Sequence, residues 1–330
     1  FMKHQFLKSF YLSITISILC STNVFGVSMY QKNDTIFIEN DYLKVKIKKK
    51  GAEIISLINK EKSFEHIWQA DKKSWNQNAP ILFPIVGKLK NGKYFIDNKE
   101  YKMKNHGFAS FSTFEIISKS TSKVVLSLES NASTLKKYPY KFKLIVKYTL
   151  KGNKVLIENK VVNIDNKKIY FSIGAHPGFN IPINKKEKYT DYYLEFSQKE
   201  TVARMPLTKK KGLLSNNYIQ KYLDNTHRLQ LNHKIFKDRA IILKSLKSST
   251  VEIKSDFTDT SVKIGIENFP FLGIWTTSKS NENFVCIEPW YGVSDSENTQ
   301  GNFQLKKGIQ TLQTSKDFIM KYFIEIKNKK

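Results

Sequence analysis

The chain has 330 residues, 40% of them hydrophobic, with 23 Phe and 16 Tyr. That supply of apolar side chains can fill a sizeable core and excludes a disordered chain. A net charge of +26 raises nucleic-acid binding, but of 55 basic residues only Arg204, Arg228 and Arg239 are arginine, and the lysines mostly alternate with apolar residues; that is a solvated strand face, so no nucleic-acid partner is expected.

The first residues read as a leader. Lys3 and Lys8 are positive, Phe10 to Cys20 is an apolar run of 11 residues, and Val24-Phe25-Gly26 offers a cleavage site. Such a run is too short to cross a bilayer as a stable helix. Residues 1–26 are therefore expected to be a signal peptide and 27–330 a single domain. The mature protein would be exported, periplasmic or secreted, without stable membrane insertion. The other reading takes Met29 as the start and makes the protein cytoplasmic. Cys20 and Cys286 are the two cysteines. Loss of the leader would leave one thiol, so the count carries no information on compartment.

Beyond the leader, period-two patterning dominates. Leu43, Val45 and Ile47 alternate with lysines, as do Phe142, Leu144, Val146, Tyr148 and Leu150; Val262, Ile264 and Ile266 repeat the pattern. Further strands are expected at 52–58, 113–118, 123–129, 154–163, 191–196, 239–243 and 284–288. Helical signals are few: 131–138, stopped by Pro139, and 216–222. Segments 185–188 and 209–212 read as exposed loops. The expected fold is all-β, a large antiparallel β-sandwich with few short helices.

Three segments break the alternation with titratable residues beside Gly or Pro. They are Pro80 to Lys88 with Asn105-His106-Gly107-Phe108, then Gly174-Ala175-His176-Pro177-Gly178-Phe179-Asn180, then Cys286-Ile287-Glu288-Pro289-Trp290-Tyr291-Gly292. Gly and Pro place these groups at strand ends or turns, a normal position for a site on a β scaffold. Taken singly, each His or Glu could equally be a hydrogen-bonded structural residue.

Together, these segments resemble the aldose 1-epimerases, in particular the mutarotase-like branch associated with lactose and galactose operons. The resemblance runs from about residue 35 to residue 326, and His176 to Asn180 and Glu288-Pro289-Trp290 are its most specific parts. It implies a many-stranded sandwich with a sugar-binding cleft, His176 as acid, Glu288 as base, and His106 as a binding or polarising residue. Lys88 and Ser110 stand where the family often has Arg. Lys88 can still donate to a sugar hydroxyl, but without the bidentate fork that a phosphate favours. Asp238 is a further candidate substrate contact. Phe179, Trp290 and Tyr291 are candidates for the flat wall of a sugar site or for the core, with Trp290 the best placed. Trp275 is expected in the core.

Anomer exchange needs one proton removed from the anomeric hydroxyl and one delivered to the ring oxygen. A carboxylate and an imidazolium suit those roles. The reaction requires no metal and no cofactor, and the chain has neither a Gly-rich phosphate loop nor paired-Cys metal spacing. Strand alternation places residues 284, 286 and 288 on one face, with Cys286 beneath Glu288 as a small buried residue. The expected partner is a small free sugar, galactose or glucose first, with a hexose 6-phosphate mutarotase or a non-catalytic carbohydrate-binding protein on the same fold as the alternatives, and the expected assembly is a monomer or homodimer.

Overall fold

The computed structural model describes residues 34–209, 211–237, 239–278 and 283–328. The candidate leader at 1–26 and the candidate contact Asp238 lie outside the described residues.

Alternation in the sequence becomes alternation of burial. Phe142–Lys151 buries every second side chain and forms an antiparallel hairpin with Lys154–Asn163, pairing Val146 with Asn159. Lysines of the first strand occupy the wetter face, as the pleat requires. Thr35–Glu39, Leu43–Lys48, Glu53–Asn59 and Phe64–Glu65 form a four-stranded sheet. A second antiparallel sheet has 15 strands among the described residues. The two share one hydrophobic core that contains Val45, Leu57, Phe83, Val146, Phe196 and Ile264. The Tyr148 hydroxyl ties them by donating to the Ala52 carbonyl at 2.7 Å. This is the expected antiparallel sandwich.

Helix is scarce. Asn131 caps Ala132–Leu135 by accepting from the Ser133 and Thr134 N–H groups, which satisfies the first-turn donors. The helix expected at 216–222 does not form. Those residues lead into a strand, Ile219–Gln230, that pairs with Tyr192–Arg204 through Val202–Leu223 and Arg204–Ile219. Pairing satisfies the outer edge of the longer strand and buries Leu223, which a short isolated helix could not do. The loop at 209–212 is also less exposed than expected, since Gly212 is buried.

Five strands position the site: β1 (Ile81–Leu82), β2 (Ile173–Ala175), β3 (Gly178–Asn180), β4 (Phe271–Trp275) and β5 (Phe284–Tyr291). In the large sheet, β2 lies between β1 and β5, and β4 flanks β5 on the other side. β2 and β3 both pair with β5 in one continuous register, Gly174 opposite Trp290 and Gly178 opposite Cys286. The intervening His176-Pro177 step interrupts the ladder because Pro177 has no N–H to give.

Candidate active site

Register and parity assemble the site. Carrying the β2–β5 pairing two residues along sets His176 opposite Glu288, and side chains opposite one another share a face. His176 Nε2 lies 3.1 Å from Glu288 Oε2. Both residues are buried, at 8% and 1% exposure. On β4, Gly273 sits opposite Glu288 and Trp275 opposite Cys286, so Trp275 and Cys286 join the same face.

Glycine makes the floor flat. A Cβ on Gly273 would sit 2.5 Å from the Trp290 ring, and one on Gly174 would also sit 2.5 Å from it. The indole therefore lies across both glycines, next to the carboxyl. A Cβ on Gly178 would meet the Trp75 ring at 2.7 Å. Gly178 thus admits Trp75, which stacks on the His176 imidazole at 4.8 Å and 29°. Trp75 also stacks on Phe284, and Trp275 meets His176 edge-on at 5.6 Å. The loop carrying Trp75 is pinned at its end by buried Glu53, whose Oε1 accepts from the Asn78 and Ala79 N–H groups.

His106 enters from the opposite side. It adopts a left-handed conformation, φ 62°, ahead of Gly107 at φ 80°. Gly107 must be glycine there, since a Cβ would meet the Phe83 carbonyl oxygen at 2.2 Å. His106 and Gly87 exchange hydrogen bonds: the His106 N–H donates to the Gly87 carbonyl, and the Gly87 N–H donates to His106 Nδ1 at 3.2 Å. Since Nδ1 accepts, the neutral ring carries its proton on Nε2. The two imidazoles meet edge to face at 5.6 Å.

The electrostatics favour uncharged groups. Burial pushes His176 well below the usual histidine range, and the neighbouring His106 ring adds to this. Burial pushes Glu288 well above the usual carboxylate range, opposed by the Trp290 indole N–H. Burial and the Lys88 charge bring His106 down to about 4. The His176–Glu288 pair thus holds one proton near neutrality. Neutral imidazole with carboxylic acid and imidazolium with carboxylate are two placements of that one proton across 3.1 Å.

These side chains border a cavity of about 470 Å³, within the range of about 300–1,000 Å³ usual for small-molecule sites. Its lining includes His106, His176, Glu288, Lys88 and Trp290, as expected from the sequence. Phe179 is not part of it. Residues 174, 176 and 178 share the site face, so Phe179 points the other way and is fully buried in the core. Trp275 reverses the expectation in the opposite sense, being half-buried on the cavity wall. Trp75, Gln77 and Arg239 also line the cavity, and the sequence does not point to them. Trp75 and Gln77 lie in an irregular loop with no periodic signal, and Arg239 reads as an ordinary strand residue. Arg239 is held by donating Nε and Nη2 to the Lys209 carbonyl, at 3.1 and 2.7 Å. Ser110 is buried at the cavity edge.

One metal-compatible group appears that sequence spacing hid. The ligand atoms of His176, Cys286 and Glu288 lie within 4.8 Å of one another.

A family model described as aldose 1-epimerase matches residues 34–306. The chain belongs to the aldose 1-epimerase family. Among curated relatives of this chain, the chromosomal protein LacX of Lactococcus lactis subsp. lactis is 37% identical over 269 residues, covering 79% of this chain and 89% of LacX. The crystal structure of a galactose mutarotase related enzyme from Lactobacillus acidophilus matches with TM-score 0.85 and 34% identity, covering 90% of this chain and 100% of that one. A galactose mutarotase-like protein from Lactobacillus casei matches at 0.83 and 30%, covering 88% and 99%. The chain's fold is therefore that of the galactose mutarotase-like structures. No helix among the described residues is long and apolar enough to cross a membrane.

Proposed function

We propose that the protein is a mutarotase that interconverts the α and β anomers of a free aldohexose, galactose or glucose first, with Glu288 and His176 moving the protons. The observation that carries this reading is the 3.1 Å approach of His176 Nε2 to Glu288 Oε2 beside a cavity walled by Trp75, Trp275 and Trp290. Flat indole faces suit the apolar face of a pyranose.

In the forward step, the Glu288 carboxylate takes the proton of the anomeric hydroxyl while the His176 imidazolium protonates the ring oxygen. The bond from the anomeric carbon to that oxygen breaks, giving the open aldehyde. Both catalytic groups are then neutral, the arrangement that burial favours. Rotation about the adjacent carbon–carbon bond presents the other aldehyde face. Closure then returns both protons, regenerating the imidazolium and carboxylate. The Nε2–H of His106 and the Lys88 ammonium serve as donors that hold hydroxyl oxygens in place.

A second reading, a phosphorylated hexose, is favoured by one observation: Lys88, Lys104 and Arg239 all border the cavity. Polarimetry on fresh α-galactose and α-glucose, with glucose 6-phosphate as competitor, separates the two. Rapid mutarotation with weak competition supports the free sugar. Saturable binding in calorimetry without any change in mutarotation rate would replace the enzyme with a sugar-binding protein. Export by the leader belongs to the same proposal, since free hexoses are met outside the cytosol and sugar phosphates mainly within it. The mature N-terminus of the protein recovered from the expressing cell tests it.

A further inference from the structure

Cys286 takes no part in the proton transfers, yet it lies on the site face, two residues before Glu288 on β5 and opposite Gly178. Its thiol is free and fully buried. Its sulfur, a His176 ring nitrogen and a Glu288 carboxylate oxygen fall within 4.8 Å of one another. A second observation points to an unmet ligand. Glu288 Oε2 is buried and finds no hydrogen-bond partner among the described residues, its close neighbour being His176 Nε2 at 3.1 Å.

We propose that His176, Cys286 and Glu288 form a binding site for a soft divalent cation of the zinc type, and that the bound ion shuts the enzyme off. Nitrogen, thiolate sulfur and carboxylate oxygen form a donor set that zinc accepts. Zinc bonds of about 2.0–2.3 Å at tetrahedral angles place donor atoms roughly 3.3–3.7 Å apart. The imidazole–carboxylate separation of 3.1 Å is close to that value, and the widest gap has to close by at most about 1.5 Å. The fourth position faces the cavity, because His176 and Glu288 both line it. Water or a sugar hydroxyl would complete the coordination there.

Binding is a ligand exchange without electron transfer. The thiol releases its proton to solvent as sulfur bonds the ion. The proton held by the His176–Glu288 pair also leaves, as nitrogen and oxygen bond the ion. With both catalytic groups occupied, neither proton transfer of anomer exchange can take place. The inhibitory consequence rests on the proposed mutarotase reading; the site itself does not.

Cobalt(II) chloride titrated into the purified protein tests the site without reference to catalysis. A thiolate-to-cobalt charge-transfer band in the near ultraviolet is expected at one ion per chain. Cys286→Ser and Cys286→Ala should both lose it. Zinc chloride should inhibit mutarotation by the unsubstituted protein, reversibly on adding a chelator. Inhibition of Cys286→Ala should need at least ~10-fold more zinc, the lower end of what even outer-shell partners contribute to metal affinity. Absence of the charge-transfer band, or its persistence in both variants, overturns the site. A Cys286-dependent band with unchanged mutarotation in zinc overturns the inhibition. A band in a protein without any mutarotase activity sustains the site while the functional reading fails.

Discussion

His176 and Glu288 face each other because they are cross-strand partners two residues beyond the last β2–β5 pair, and Pro177 breaks the ladder beside them. Their separation of 112 residues in sequence becomes 3.1 Å in space. Since burial lowers the histidine and raises the carboxyl, the one-proton state of the pair should span neutral pH. Mutarotase activity should therefore plateau there. Its acid limb, where the pair takes a second proton, should lie below pH 6.5, and its alkaline limb should track loss of the shared proton. Glu288→Gln should lower turnover by about 100-fold or more, the usual weight of a general base. Polarimetry across pH decides, and wild-type turnover in Glu288→Gln would remove Glu288 from the reaction.

Gly273 lies opposite Glu288, and its missing side chain leaves room for Trp290. Gly273→Ala would set a methyl 2.5 Å from the indole, inside any tolerable contact. Trp290 must then tilt into the cavity or the strand must move. Such overpacking commonly costs about 1–3 kcal/mol. A lower denaturant midpoint together with reduced kcat/KM is expected. Unchanged kcat/KM would show that the flat indole floor has no part in catalysis.

Much of this geometry is legible in the sequence. Strands such as Phe142–Lys151 carry a clean two-residue period, and the three motif segments supply His106, His176 and Glu288. Phe179, a candidate for the sugar-site wall, faces the core instead, because counted from His176 it is odd along the strand. What escapes detection is what has no period. Trp75 reaches the site from a loop held by Glu53 across 25 residues, and Trp275 is placed by pairing of β4 with β5. The strand Ile219–Gln230 looks helical at its start because its partner, Tyr192–Arg204, supplies the reason to extend, and pairing is invisible in a local window.

Lys88 is half-buried on the cavity wall, with its main chain fixed by the Ser294 hydroxyl and the Asp295 N–H. Its backbone is held whatever the side chain, so Lys88→Met should remove a donor without moving the loop. A hydrogen bond from a charged donor contributes about 1.5–3 kcal/mol, or roughly 10- to 100-fold in kcat/KM. If the ammonium only binds the sugar, KM should rise while kcat holds. A fall in kcat at constant KM would instead make it a transition-state contact.

The same wall depends on a buried ion pair. Lys306 Nζ lies 2.8 Å from Asp295 Oδ1, at 2% and 4% side-chain exposure, while Asp295 Oδ2 accepts from the Lys90 N–H. Removing one partner strands the other charge. Lys306→Met should therefore destabilise by about 3–5 kcal/mol, and adding Asp295→Asn should recover part of the loss. Urea midpoints of the single and double variants measure both. A double variant as unstable as the single one would mean the lost packing of the lysine stem, not the stranded carboxylate, sets the cost.

His66 is fully buried beside Phe64, and neither ring nitrogen finds a hydrogen-bond partner among the described residues. Burial lowers its pKa from 6.5 to about 3. The unfolded chain then binds a proton at this position that the folded chain refuses. The stability at stake is intact above pH 6.5 and drains away as pH falls toward about 3. At pH 5 the loss amounts to about 2 kcal/mol relative to pH 7.5. His66→Leu, which removes both the titration and the unpaired nitrogens, should show a shallower fall in stability over the same range. Urea unfolding of the two proteins at pH 7.5 and pH 5 compares the slopes. Parallel slopes would mean that the imidazole is protonated, or meets water, within the folded protein.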